Sequence, residues 1–476
     1  ENKPLQVSHH LLYIDNEPEY CQYLTQAGDC NQKRYETQKA FECYAKALED
    51  LGRFSGKEID HLFAETAIKY SKISTGRRDT SQVLDTLKEA VVRAKKWNFK
   101  SFEGLLEMHI AKNEWLMAKY TSAMNHFNKG WSIANQLNDL KLRYSAMTFS
   151  TFFLYWQGRF KEAVHVYETS VPDVEKFPHG RFPLLAAMTV GYCYSQIGQV
   201  TQGLGTMDAI RATALEKGNL NIAAYTSGNM GNIMLDINQV DEAIPYLKKS
   251  VKEAKEANNE WVLITGYLLL AYAFYQIGQE KKCTNFLRDF LKQRQRMHLG
   301  VTLYSYMLEL FYAMEQERIP RIRGDSLESE VKRLIRSKNI FMKGVAYRYQ
   351  ALLQRNKGVP PKKIIHTLKK SLKWLQESGH LFETAETCFE LARQHVLLGD
   401  KNSARELMMD ISKQLSSYSD IKVPDDLRHL MDDSPINEHL LKEILKLGQK
   451  VADVANNKDL VKQVLSDVNR MTGAER

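Results

Sequence analysis

At 476 residues and a formal charge of +9, the chain has room for two or three ordinary domains or for one elongated array of repeats. Its 43% hydrophobic and 26% charged content suits a folded chain in water, and 11 prolines with 25 glycines leave little room for low-complexity linkers. Nowhere do about 18 apolar residues run uninterrupted, and ENKPLQVSHHLLYIDNEPEY holds no apolar core of signal length, so the expectation is a cytoplasmic protein without a membrane span.

Residues 1–30 read as a helical lead-in. Glu1 in place of an initiator Met marks the start as an expected cut point, and the helical pattern that halts at Arg476 marks the end as another. The six cysteines, Cys21, Cys30, Cys43, Cys193, Cys283 and Cys388, form no C-x-x-C pair. A chain this long needs no disulfide to hold a core, so they are expected to be reduced and buried. No H-E-x-x-H occurs, and His9 and His10 point to different sides of any helix, so no metal ligands are assigned.

From residue 31 to residue 418 the sequence repeats itself. Gly158, Gly198, Asn238 and Gly278 stand 40 residues apart, each a residue tolerant of the left-handed conformation that closes a helix, and each is followed five residues later by Ala163, Gly203, Ala243 or Cys283. Gly358 and Gly399 keep the phase with one residue of slip. Seven residues before each turn lies a small residue: Ser71, Ala111, Thr151, Gly191, Gly231, Ala271, Ala351 and Ala392, with only Phe311 breaking the series. Two small positions flanking one turn predict two helices that cross closely. Apolar residues between turns recur at helical spacing, as in DEAIPYLKKSVKEAKEA, and nothing alternates as a strand would. The expectation is an all-α chain: a solenoid of about nine or ten helical hairpins with a 40-residue period, plus C-terminal helices.

The stretch YTSGNMGNIMLDINQVDEAIPYLKKSV resembles the tetratricopeptide repeat (TPR) family: Asn229, Met230, Gly231 and Asn232 match its N-L-G-N, and Ala243 and Tyr246 its second-helix alanine and aromatic. The resemblance covers roughly residues 31–418, most of the chain, with 40 residues per unit against the usual 34. It implies that the first helix of each unit lines a concave groove. Taking the residue after the small position and the one three further on gives Trp115, Phe152, Tyr155, Tyr192, Asn232, Tyr272 and Tyr275, with Asn229 adjacent. Rings with polar tips suit a half-wet binding surface. The alternative is that these rings pack between neighbouring units. The family's carboxylate clamp needs cations around paired asparagines, but the flanking equivalents Met188, Tyr192, Thr265 and Leu269 supply none, so chaperone-tail binding is not expected.

Charge is uneven. Between Arg318 and Lys373 stand 16 Lys and Arg against 3 Asp and Glu, a local +13 in a chain of +9. The basic patch comprises Arg318, Arg321, Arg323, Lys332, Arg333, Arg336, Lys362, Lys363, Lys369 and Lys370. Aromatics are not interleaved as single-strand binders require, so nucleic acid is not expected, and an acidic partner or a solvated face remain. The tripeptide Arg323 to Asp325 reads as a turn.

YLTQAGDCNQKRYETQKAFECYAKALEDL resembles the handover from a STAND-type ATPase module to its helical repeats, although no phosphate-binding G-x-x-x-x-G-K-[ST] loop occurs in the chain. Residues 419–439 read as a linker, and residues 440–476, ending in TGAER, resemble the leading helices of a GAF domain. These resemblances imply the middle of a larger signalling regulator, with flanking domains as partners and possible homodimer contacts through the last helices. No triad, carboxylate pair or cofactor motif is found, so no enzyme and no cofactor is expected. The sequence thus predicts a binding and coupling module for a partner protein, peptide or ligand; the alternative is a structural scaffold with no ligand of its own.

Overall fold

Each repeat is delimited by two kinds of turn. In the computed structural model, which describes residues 3–34, 36–74, 80–117, 119–174, 184–216, 219–297, 304–322, 326–418 and 423–431, the within-repeat turns place Gly158, Gly198, Asn238, Gly278 and Gly358 at φ between 64° and 91°. The residue after each returns its N–H to the carbonyl five residues back: Arg159 to Leu154 at 2.8 Å, Gln199 to Tyr194 at 2.8 Å, Gln239 to Met234 at 2.8 Å and Gln279 to Phe274 at 2.8 Å. This closure satisfies carbonyls that the helix end leaves open. Turns between repeats use a second left-handed series, Asn98, Asn138 and Asn258, with φ of 55°, 50° and 51°. After Asn138 and Asn258 the next residue caps the following helix with its side chain: Asp139 accepts from Leu142 N–H at 3.2 Å, and Asn259 from Val262 N–H at 3.0 Å.

Twenty-two helices result among the described residues. The first are α1 (Lys3–Leu11), α2 (Pro18–Lys33), α3 (Thr37–Leu51), α4 (Lys57–Ile73), α5 (Thr80–Lys96), α6 (Lys100–Leu116) and α7 (Tyr120–Leu137). The middle set is α8 (Leu140–Trp156), α9 (Phe160–Val174), α10 (Leu184–Gln196), α11 (Val200–Glu216), α12 (Leu220–Asp236), α13 (Val240–Glu256), α14 (Glu260–Gln276) and α15 (Glu280–Met297). Then follow α16 (Tyr306–Glu315), α17 (Leu327–Ile335), α18 (Ile340–Asn356), α19 (Pro361–Ser378), α20 (Leu381–Leu397), α21 (Lys401–Leu415) and α22 (Asp425–Arg428). Helix α2 runs through the lead-in boundary expected at residue 30 and pairs with α3 as a first hairpin. No helix among the described residues is long and apolar enough to cross a membrane.

The small positions do what their spacing predicts. Ala111, Thr151, Ala271 and Ala351 are buried. A Cβ on Gly231 would stand 2.6 Å from the Leu247 side chain, and one on Gly203 would stand 2.8 Å from the Gly191 carbonyl oxygen. The paired helices therefore approach until only hydrogen separates them. Phe311, the one large residue in the series, is buried in α16, which has ten residues where its counterparts α12 and α14 have seventeen. All six cysteines are free, five of them buried and Cys30 partly so.

Two compact units divide the chain, Glu1–Thr387 and Cys388–Arg476, the division falling within α20. In the first, the array returns to itself. Asn339 Nδ2 donates to the Trp156 carbonyl at 3.0 Å, and Ile340 N–H donates to the Gln157 carbonyl at 2.8 Å, bonds spanning 183 residues. Around them Phe160 packs on Phe341 and His380, with centroids 5.4 and 5.8 Å away, and Arg159 pairs with Glu377 at 3.2 Å. A ring edge, one main-chain bond and one side-chain bond to a main-chain carbonyl thus hold the α8–α9 turn against the starts of α18 and α20. In the second unit, Asp400 caps α21 through Ser403 N–H at 3.1 Å, and Arg393 reaches Asp426 at 2.7 Å. The expected linker 419–439 lies largely outside the described residues, and the expected terminal helices 440–476 lie wholly outside them.

Candidate functional site

The first helices of successive repeats bring one face together in the first unit, and a cavity of about 590 Å³ opens there. Helices α4, α6, α8, α10 and α12 supply Lys72, Lys112, Phe152, Tyr155, Tyr192 and Asn229. The turn between α13 and α14 adds Asn258 and Asn259, and Trp261 and Tyr304 complete the aromatic wall. These residues come together because a 40-residue repeat returns the same helix face to the same side of the array.

Of the eight residues expected to face a groove, Phe152, Tyr155, Tyr192 and Asn229 line this cavity. Trp115 does not: it is 2% exposed, edge-on to Tyr120 at 4.7 Å and beside Phe153, as part of the core between α6 and α8. One turn beyond the small position, its indole meets the next helix instead of the groove. Asn232 is buried and donates from Nδ2 to the Tyr192 hydroxyl at 2.6 Å, so it orients a lining ring without lining the cavity itself. Tyr272 stacks on Tyr306 at 4.1 Å, and Tyr275 hydrogen-bonds Arg318, both away from the cavity.

The lining tyrosines are tied together across repeats. Tyr155 and Tyr304 share a hydrogen bond, as do Tyr225 and Asn259, and Asn259 Nδ2 donates to Asn221 Oδ1 at 3.1 Å. Desolvation by burial, first among the causes, pushes the Tyr155 and Tyr192 hydroxyls well above their usual range, so both stay neutral donors and acceptors. Asp236 sits behind this wall, held by the Tyr306 hydroxyl and by Gln196 Nε2 at 2.8 Å. It keeps partial solvent contact, yet enough protein surrounds it that burial pushes its carboxyl up to about 7.

Three cations at the cavity, Lys33, Lys72 and Lys112, escaped the sequence reading. Lys112 is 7% exposed, and burial, with Lys72 second, pulls its ammonium down to about 8. Lys72 keeps more solvent contact but is also lowered, by burial first and then by Lys141 and Lys69. Both occupy the residue after the small position, in the repeats of Ser71 and Ala111. The periodicity rule that gave Phe152 and Tyr192 reaches them directly; a preference for rings and amides passed over them. Asn219, Asn258 and Asn259 are likewise legible as the turn and cap residues between repeats.

The basic patch is only partly free charge. Arg333 pairs with Glu330, which also holds Arg294 at 3.0 Å, and Lys332 meets Glu328 at 3.3 Å. Lys362, Lys363, Lys369 and Lys370 form an exposed row on α19, and Arg318, Arg321 and Arg336 are exposed as well. Arg323, with the expected turn to Asp325, lies outside the described residues.

No protein-family model matches the chain, and no curated protein matches it in sequence. Among solved structures, the APC/C hetero-tetramer Cut9-Hcn1 aligns with 97% of this chain and 92% of its own at 14% identity, with a TM-score of 0.51. A Rap protein complexed with competence and sporulation factor aligns with 84% of this chain and 100% of its own, at 11% identity and a TM-score of 0.49. Yeast Tom70 aligns with 94% and 100%, at 13% identity and a TM-score of 0.35. The Cut9-Hcn1 likeness agrees with the repeated hairpins and the close crossings at the small positions: the fold is an α-solenoid of TPR-like helical hairpins.

Proposed function

We propose that the chain is a non-catalytic binding module that takes a segment of a partner protein into the concave cavity of its first unit. The observation that carries this reading is the cavity itself: about 590 Å³, within the range of ligand sites, walled by neutral tyrosines and asparagines whose polar groups converge. Asn219, Asn229 and Asn258 offer both donors and acceptors, which suits the amides of an extended chain. Bonds between repeats, such as Asn232 to Tyr192, couple the wall to the stacking of helices, so an occupant that shifts one ring biases its neighbours. The resemblances of residues 23–51 to an ATPase handover and of residues 440–476 to a GAF opening support the finer reading of a coupling module within a cytoplasmic signalling regulator.

A displayed library of random heptapeptides tests the reading. Panning against the whole chain should enrich related sequences that are lost when Leu185, an exposed residue lining the cavity, is replaced by Trp. Enrichment that survives Leu185→Trp would move binding elsewhere on the array. No enrichment at all would favour the scaffold reading.

A further inference from the structure

Helix α19 carries its charge on one side. Lys362, Lys363, His366, Lys369, Lys370 and Lys373 are exposed, while Ile364, Ile365, Leu368 and Leu375 are buried. At about 100° per residue, the exposed positions fall within about a third of the circumference, along about 16 Å of helix. Glu377 is the one acid of this helix, and Arg159 holds it at 3.2 Å. Among the described residues, none of the five lysines has a carboxylate partner.

The neighbouring α18 adds to the surplus. Lys343 Nζ stands 4.5 Å from the centre of the Trp374 ring, with Lys373 6.0 Å from the same ring and Lys370 6.0 Å from Tyr347. Burial first, and then Lys338, pulls the Lys343 ammonium below its usual range. Ring faces steady these ammonium groups without cancelling their charge. No residue of α18 or α19 lines the cavity, so this face is separate from the groove.

Like charges three and four residues apart on one helix repel, and an anionic partner relieves that repulsion. The spacing narrows the class of partner. Lys362, His366, Lys369 and Lys373 follow one another at four, three and four residues, which keeps them in line along the helix. A second helix laid alongside presents side chains at the same spacing. A membrane surface would take up exposed apolar side chains, and no large apolar side chain of α18 or α19 is exposed. Nucleic acid is recognised chiefly through the forked guanidinium of arginine, and α19 has no arginine. We propose that the lysine face of α19 docks an acidic helix of a partner protein, whose carboxylates meet the row one by one.

The test uses the whole chain and a fluorescein-labelled, alanine-based helical peptide of about 20 residues, with Glu at alternating three- and four-residue spacing. Anisotropy should show saturable binding that weakens as salt rises. Lys362→Glu with Lys369→Glu should weaken it about tenfold or more, while Lys249→Glu with Lys252→Glu on α13 changes net charge equally and should have little effect. All four positions are exposed, so the core is not at risk. A peptide of the same composition with its Glu residues scattered round the helix should bind several-fold more weakly.

Equal loss from both charge reversals, or equal binding of both peptides, would reduce the face to general electrostatics and overturn the proposal. So would no binding to the aligned peptide. Tighter binding to a DNA duplex or to phosphatidylserine vesicles, lost with Lys362→Glu and Lys369→Glu, would replace the acidic helix with that partner. Leu185→Trp in the cavity should leave peptide binding unchanged; a loss there would place the peptide in the groove instead.

Discussion

The run from α10 to α14 and the stretch from α15 to α18 use the same kind of hairpin to different ends. In the first, helices of 13 to 17 residues start every 20 residues at Val200, Leu220, Val240 and Glu260, and each contacts mainly its neighbours. In the second, Phe311 stands where the first run has Gly191, Gly231 and Ala271, and α16 and α17 shrink to ten and nine residues. A residue with no side chain lets two helix backbones touch; a phenyl ring holds them apart and the pair must shorten or splay. Where the repeat is kept, the array is a rule applied again and again. Where it is broken, α18 begins against a turn 183 residues earlier and contact becomes non-local.

The contrast is sharpest at Phe160. Its ring is 1% exposed and joins Tyr192, Phe341 and His380, so it belongs to both regimes at once. Replacing it with Ala should cost about 3–5 kcal/mol, read as a drop in the midpoint of urea unfolding. If the two regimes unfold separately, that loss should split the transition into two steps.

Within the regular run, Gly231→Leu forces a side chain onto Leu247 and should cost about 1–3 kcal/mol in thermal denaturation. Leu247 is a flexible partner, but the Ala243 carbonyl oxygen 3.3 Å away is not. An unchanged midpoint would remove the crossing from the account of the repeat.

At the closing contact, Asn339→Ala removes the bond to the Trp156 carbonyl and the cap on Met342 N–H at 2.8 Å. The loss should be about 1 kcal/mol. Hydrogen exchange should then rise at Ile340 while amides in α12 keep their protection; equal loosening of both would mean that the two regions are one cooperative block.

Acid titration separates the regions at the smallest cost. Burial, the leading cause, holds the His380 imidazole at about 4 against an ordinary value of 6.5. Its contribution is therefore fully present above about 6.5 and is lost as pH falls toward 4, because the unfolded chain takes up the proton first. Asp236 runs the other way. With its carboxyl at about 7 against 3.8, its contribution is present below about 4 and is lost as pH rises through 7. His380→Asn should flatten the acid limb of a stability profile between pH 4 and 6.5, with no change from titration at pH 7. Asp236→Asn should reduce the fall in stability between pH 4 and 7.

The fold was legible to the extent that its rules are local. Gly158, Gly198 and Asn238 announce left-handed turns because few other residues adopt that conformation without strain, and Gly231 announces a crossing because it falls on the small position that recurs seven residues before each turn. The candidate site was half legible. Phe152, Tyr155, Tyr192 and Asn229 follow from the period and the resemblance, and Lys72 and Lys112 from the same period had charge been admitted. Trp115 satisfied the spacing yet turned to the core, because an indole is large enough to reach the neighbouring helix and no pattern along one chain records what stands opposite.

The sequence by itself determined the hairpin, its 40-residue period and the small crossings, since these depend on turn conformation and side-chain size within one or two repeats. Only the tertiary structure decided which faces meet. Small rotations between stacked repeats accumulate over many units before Asn339 reaches Trp156 or Trp261 reaches Trp156, 5.1 Å between centroids, and no single residue encodes that sum. The same accumulation brings Lys72 to the cavity that Asn258 and Trp261 line, although nearly 190 residues lie between them.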